Sequence, residues 1–206
     1  MTNEQITDLV LRYMDDVSPD IDNDIIVNVV HPLIPSHIDY AALRLLEILP
    51  VFMQSTYTPT SLPAIPEQKS DYLLLQCPSD FIKLGRVKLP GWTRAVSHAY
   101  NEYSPGSQAQ SFRYLGGTNL RPTAVLVQVD GGKYALELRP VSGGTYPDVF
   151  MYVKKRKANE LEDQLIDPLV WLIAARLFDS MQNPNASKIC MQQLTNYIQG
   201  ASQKSQ

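Results

Sequence analysis

Apolar residues in Asn3–Val17 fall at Ile6, Leu9, Val10, Tyr13 and Val17, the i, i+3, i+4, i+7, i+11 spacing of an amphipathic helix. Thr2 or Asn3 stands before the first turn as a natural cap. The stripe covers one flank, so this helix is expected to pack one face only. An acidic run, Asp20–Asp24, interrupts it, and the apolar, β-branched segment Ile25–Val30 is read as helix rather than short strand. Pro35-Ser36 then predicts the start of a second helix over Ser36–Gln54. Its buried face would comprise Ile38, Ala41, Ala42, Leu45, Leu46, Leu49, Phe52 and Met53, with Pro50 kinking or ending it.

Beyond Tyr57–Lys69, an extended connector holding Pro59, Pro63 and Pro66, the period shortens to two. Strands are predicted at Tyr72–Cys77, Phe81–Lys88, Arg94–Tyr100, Ala124–Val129, Lys133–Arg139 and Val149–Val153. The strongest local signal is a hairpin whose turn, Asp130-Gly131-Gly132, supplies residues that tolerate positive φ. Along the second strand, alternation places Phe81, Lys83, Gly85, Val87 and Leu89 on one side and Ile82, Leu84, Arg86 and Lys88 on the other. Neither side is cleanly apolar, which predicts a small sheet or barrel with much accessible surface and no deep core. Asn101–Arg121 reads as a long polar loop.

Helix returns at the C-terminal end. Asp167-Pro168 reads as a cap followed by proline at the first helical position, with Leu169, Trp171, Leu172, Ile173 and Phe178 continuing to about Met181. Asn183-Pro184-Asn185 breaks the chain before a last amphipathic helix over Ala186–Gln199, and Gly200–Gln206 is expected to fray. Helices at the two ends must bury their apolar faces together. The expected fold class is therefore α+β: a helical bundle formed by the N- and C-terminal helices, with an inserted β-sheet or barrel region. Its parts would be residues 1–70, 71–154 and 155–206 of one composite domain.

Charge adds a polarity to this plan. Residues 1–50 carry nine acids and two bases, −7, whereas residues 81–160 carry twelve bases and five acids, +7, within a chain of net charge −3. Opposite poles suit head-to-tail association of copies or an anionic partner, and equally two solvated faces. Cys77 and Cys190 lie far apart in segments that read as structured, which predicts free buried thiols in a reducing compartment. No apolar run is long enough to span a bilayer, and Met1-Thr2-Asn3-Glu4 lacks the regions of a signal peptide. A soluble chain, not secreted by that route and without a membrane partner, is expected.

No catalytic signature accompanies these elements. The phosphate-cradling glycine loops, the nucleophile elbow and the zinc helix are missing, so no enzymatic activity and no cofactor is expected. His31, His37 and His98 lack partners at ligand spacing, and Asp20–Asp24 lacks the glycine and the terminal glutamate of a calcium loop. The densest charge cluster is Lys154, Lys155, Arg156 and Lys157, which would meet phosphates, serve as a targeting tract, or end a strand in solvent. With Arg113 and Arg121 it makes up the candidate DNA-channel or inter-subunit contacts. Trp92 and Trp171 read as structural anchors, although Trp92 beside Arg94 also has the composition of a base-stacking site.

Several segments together resemble a known family. They are D-F-I-K-L-G-R-V-K-L-P-G-W-T-R-A-V over Asp80–Val96, I-D-Y-A-A-L-R-L-L-E-I-L-P over Ile38–Pro50, L-E-L-R-P over Leu136–Pro140, and L-I-D-P-L-V-W-L-I-A-A-R-L-F over Leu165–Phe178. Through most of Ser36–Met181 the order of elements is similar to that of the ring, or head–tail adaptor, proteins of crAss-like and related tailed phages. The resemblance implies a structural virion protein of the neck, made in the host cytoplasm and assembled as a homo-oligomeric ring of twelve copies under the portal. Such a ring extends the DNA channel and docks tail proteins, so portal, ring and tail proteins and packaged DNA are the implied partners. The family pattern carries no catalytic residues over to this chain, and residues 1–30 lie outside it. A nucleic-acid-binding regulator using the basic strands and Lys154–Lys157 is the alternative reading.

Overall fold

A computed structural model describes residues 1–20, 25–69, 71–110, 117–141 and 146–204. The fold is α+β, and the chain divides into two compact units: a helical unit, Met1–Met53 with Lys155–Gln206, and a β unit, Gln54–Lys154, inserted between its halves. The first division falls at Met53, earlier than the expected 70, because the proline-rich connector is part of the β unit.

In the helical unit, α1 (Asn3–Val17) opens with a capping box, Thr2 Oγ1 accepting from the Gln5 N–H and Gln5 Oε1 accepting from the Thr2 N–H. A π-helical turn, Ile26–Val30, leads directly into α2 (His31–Ile48). This helix starts five residues before the expected Ser36 and holds Pro35 inside it. Pro32 and Pro35 withhold the N–H groups that the carbonyls of Asn28 and His31 would bind in an α-helix, and the wider π turn lies where the first of these is lost. Pro50 follows the end of α2, and Val51–Met53 form a tighter 3-10 turn. That change of pitch resets the phase of the apolar stripe. Met53 stays buried, but Phe52, expected in the buried face, is 56% exposed.

The second half of the unit contributes α4 (Ile166–Ser180) and α5 (Pro184–Lys204), α3 (Pro105–Gln110) lying in the β unit. Asp167 is not the cap of α4: the helix starts at Ile166 out of a 3-10 turn and places Pro168 in its first turn. Asn183, read as part of a break, caps α5 instead, its Oδ1 accepting from the Ala186 N–H at 3.2 Å, with Pro184 first in the helix. The helix continues to Lys204, past the expected fraying point. Helix α4 is buried nearly all round, at Leu169, Val170, Leu172, Ile173, Ala174, Leu177 and Phe178 among others, and packs on α1, α2 and α5. It is the axis of the unit.

The β unit contains seven strands: β1 (Glu67–Gln68), β2 (Leu73–Gln76), β3 (Phe81–Lys88), β4 (Tyr100–Asn101), β5 (Thr123–Val129), β6 (Lys133–Arg139) and β7 (Val149–Lys154). One sheet runs β1-β2-β6-β5-β4, antiparallel except for the β4–β5 pair, and the other is the antiparallel pair β3–β7. Gly131 and Gly132 take φ of 79° and 72° in the β5–β6 turn, as the hairpin requires. The expected strand over Arg94–Tyr100 is reduced to a bridge between Val96 and Val87 and the short β4. Within Asn101–Arg121 a short helix, α3 (Pro105–Gln110), interrupts the expected loop, and residues 111–116 lie outside the described residues.

The mixed faces of β3 have a local cause. Its register against β7 shifts between Phe81 and Lys83 and again between Leu84 and Arg86. Leu84 therefore faces Tyr152 and Val87 faces Phe150: a step of three residues on β3 matches a step of two on β7. With the bulges counted, the inner side is apolar. Contrary to the expectation of no deep core, Leu84, Val87, Leu89, Phe150 and Tyr152 join Leu73, Leu75, Trp92, Ala124, Leu136 and Leu138 in one core shared by both sheets. Gly85, in the second bulge, has no room for a side chain: a Cβ there would lie 2.8 Å from Thr56 Cγ2 and 3.0 Å from the Met151 carbonyl oxygen.

Candidate interaction surfaces

The four cations at residues 154–157 leave β7 in alternating directions, and their environments differ. Lys154 places Nζ 5.0 Å from the centre of the Tyr57 ring, a cation–π contact. Lys155 and Lys157 are exposed. Arg156 turns inward, its side chain only 8% exposed, and Nη1 donates to Glu162 Oε1 at 2.6 Å. Its Nε and Nη2 are buried and lack a hydrogen-bond partner among the described residues. The cluster therefore presents two free lysines to solvent rather than four cations. Arg121 is exposed in a tight turn, its N–H donating to the Thr118 carbonyl at 2.9 Å. Arg113 lies outside the described residues.

Of the two tryptophans, Trp92 is 2% exposed in the β unit's own core, and its indole Nε1–H donates to the Pro140 carbonyl at 2.9 Å. Its ring faces are covered, so it offers no platform for a base. Trp171 is half-buried on α4 and meets the Tyr197 ring edge to face, with centroids 5.9 Å apart. The Tyr197 hydroxyl donates to the Gln164 carbonyl at 2.9 Å, and Arg176 stacks over Tyr40 at 4.0 Å. These contacts tie α2, α4 and α5 together.

Both thiols are free and buried. Burial pushes Cys77 up from 9.0 to about 12, and chiefly the same cause pushes Cys190 to about 11, while the hydroxyl of Tyr13 bonds the Cys190 sulfur. Protonated at neutral pH, neither is a nucleophile. The three histidines are dispersed, His98 meeting the Tyr100 ring edge to face, and no group of His, Cys, Asp and Glu suited to a metal ion occurs among the described residues. No helix among them is long and apolar enough to cross a membrane.

One cleft of about 570 Å³ opens in the β unit between the proline-rich connector and the approach to β7. Leu62, Ile65, Tyr146, Pro147 and Phe150 form its apolar wall, with Asp148 at its side. Asp148 is the one carboxylate among the described residues that line it, beside the hydroxyls of Thr58, Thr60 and Ser61. No protein-family model matches this chain, and no curated protein matches it. The distribution of charge between the two units is the remaining large-scale feature. The helical unit has fourteen acids and eight bases, −6, and the β unit seven acids and ten bases, +3.

Sequence reading missed two kinds of feature here. The inward turn of Arg156 had a signal in Glu162 and Glu160 a few residues on, acids placed to compete for the cations. The outward apolar residues of α2, Leu33, Tyr40 and Ile48, stand among polar and charged positions such as Ser36, Asp39, Arg44 and Glu47, so they did not form a stripe of their own.

Proposed function

We propose that this chain is a structural connector subunit of a tailed-phage neck, assembling as a ring stacked beneath the portal. The observation that carries the reading is the architecture: both ends of the chain build one helical unit around α4, and the β unit is inserted between them. That is the element order of the head–tail adaptor proteins which Ser36–Met181 resembles. Opposite net charges on the two units support association of unlike faces, as neighbouring copies in a ring require. The reading assigns no reaction to the chain and no cofactor. Packaged DNA would pass through the ring, with portal and tail proteins stacked above and below. Cryo-electron microscopy of the virion tests it: density for this chain in a ring below the portal is expected, and a neck without it overturns the proposal.

A nucleic-acid-binding regulator draws less support. Of its four clustered cations, Arg156 is engaged by Glu162 and Lys154 lies on Tyr57. Affinity for duplex DNA that falls steeply with salt, well beyond that of a charge-matched control protein, would favour it over the ring.

A further inference from the structure

The outward flank of the Ile25–Met53 segment carries an apolar ridge. Ile25, Val29 and Leu33 recur every four residues from the π turn into α2 and are 43%, 50% and 39% exposed. Tyr40 and Ile48 continue it at 47% and 42%, and Phe52 stands 56% exposed in the 3-10 turn beyond. Helical geometry sets Leu33, Tyr40 and Ile48 on one flank, beside the buried face of Ile34, Ile38, Leu45 and Leu46. Of the charges at that flank, Arg44 and Glu47 are joined to each other at 2.5 Å, and Arg176 of α4 lies over the Tyr40 ring at 4.0 Å. Six large side chains about half open amount to on the order of 500 Å² of surface, at the upper end of what a monomer leaves uncovered.

The charge split says what covers it. The ridge belongs to the unit of net charge −6, and the unit of opposite sign that a second molecule would bring is the β unit, +3, where Arg86, Arg94, Arg121 and Lys133 are exposed. Like units repel and unlike units attract, which disfavours a two-fold pairing of ridges and favours ridge against β unit. We propose that the ridge Ile25–Phe52 is the seam by which one copy of this chain seats on the β unit of the next. Because the two patches differ, the contact is head to tail and repeats from copy to copy, closing into a ring or running on. The inference deepens the connector reading and rests on it for closure into a ring. The choice of a second copy as occupant rests on the ridge and the charge split.

The test uses the full chain with p-benzoylphenylalanine in place of Ile48, mixed from isotopically light and heavy preparations and irradiated. Light–heavy adducts landing within residues 54–154 are expected. Adducts confined to one chain, adducts on another copy's helical unit, or a chain that yields none and sediments as a monomer at its highest soluble concentration all overturn the seam. A second variant, Val29→Lys with Ile48→Lys, alters exposed positions, opposes both the apolar contact and the charge attraction, and is expected to keep the helical circular dichroism while weakening self-association at least about tenfold. Unchanged association overturns the proposal as well. The ring reading fails separately: seam adducts from a chain missing from virion necks would sink the ring and leave the seam, and a chain seen in the neck with adducts elsewhere would do the reverse.

Discussion

Tyr57 and Tyr152 clasp the base of the insertion. The Tyr57 N–H donates to the Tyr152 carbonyl at 2.8 Å and the Tyr152 N–H returns the bond at 3.0 Å, while the two rings meet edge to face with centroids 5.7 Å apart. Tyr57 lies just after the start of the β unit at Gln54, and Tyr152 just before its end at Lys154. The two ends of the inserted segment are therefore held side by side. Replacing Gln54–Lys154 with a short Gly-Ser linker spans a small gap and leaves the core around α4 intact. The shortened chain is expected to give a helical circular dichroism spectrum and a cooperative thermal transition. A broad, non-cooperative melt would show that the helical unit depends on the insertion for its fold.

Gly85 is expected to be intolerant of any side chain. Alanine there would meet Thr56 Cγ2 at 2.8 Å and the Met151 carbonyl oxygen at 3.0 Å, within a bulge that fixes the register of β3 on β7. Overpacking of this kind costs about 1–3 kcal/mol, and Gly85→Ala should lower stability to urea by that amount. Thr56→Ser removes the obstructing methyl group, so the double variant should recover part of the loss. Additive effects of the two substitutions would mean that the strand shifts elsewhere to accommodate the methyl group.

The bulges also mark the limit of what the sequence conveyed. Alternation located the span of β3 correctly, and that of β6, because both strands are strongly periodic or flanked by a glycine turn. What alternation lacks is the two-against-one pairing in a partner strand, so a phase slip at Leu84–Arg86 appeared as two mixed faces. The same kind of local reset hid Phe52: Pro50 was legible as the end of a helix, but the direction of the next turn depends on a change of pitch that no stripe encodes. Helix α4 was legible as an apolar helix ending near Met181, but its burial on nearly all sides was not read from its apolar residues. Among the candidate contacts, exposure of Lys155 and burial of Arg156 differ by one residue in an unbroken basic run: Glu160 and Glu162 signalled that a cation would be engaged, but not which one.

Alkaline pH is expected to destabilise the β unit through Cys77. Burial raises its thiol from the ordinary 9.0 to about 12, so the folded chain holds a proton that the unfolded chain has released above pH 9. The associated stability is complete below about pH 9 and is lost as pH climbs toward the folded value, by about 1.4 kcal/mol per pH unit. Urea midpoints measured under reducing conditions at about pH 8 and about pH 10 should fall more steeply for the natural chain than for Cys77→Ala. Parallel slopes for the two proteins would show that this thiol ionises without unfolding the unit around it.

Arg156 is expected to matter for folding and its neighbours for little but surface charge. Its guanidinium is 8% exposed and bonded to Glu162 at 2.6 Å, so Arg156→Met leaves that carboxylate without the bond in a site only partly open to water. Removing one member of a buried pair costs about 3 kcal/mol or more, whereas Lys155→Ala and Lys157→Ala, at exposed positions, should each stay within about 0.5 kcal/mol. Combining Arg156→Met with Glu162→Leu replaces the pair by apolar groups and should restore most of the loss, since both charges are then removed together from a site largely closed to water. Urea denaturation of the three single variants and the combination checks the ordering. Equal, small effects at all three basic positions would mean that the pair contributes nothing to the fold and that Arg156 is available, like the lysines, to an anionic partner.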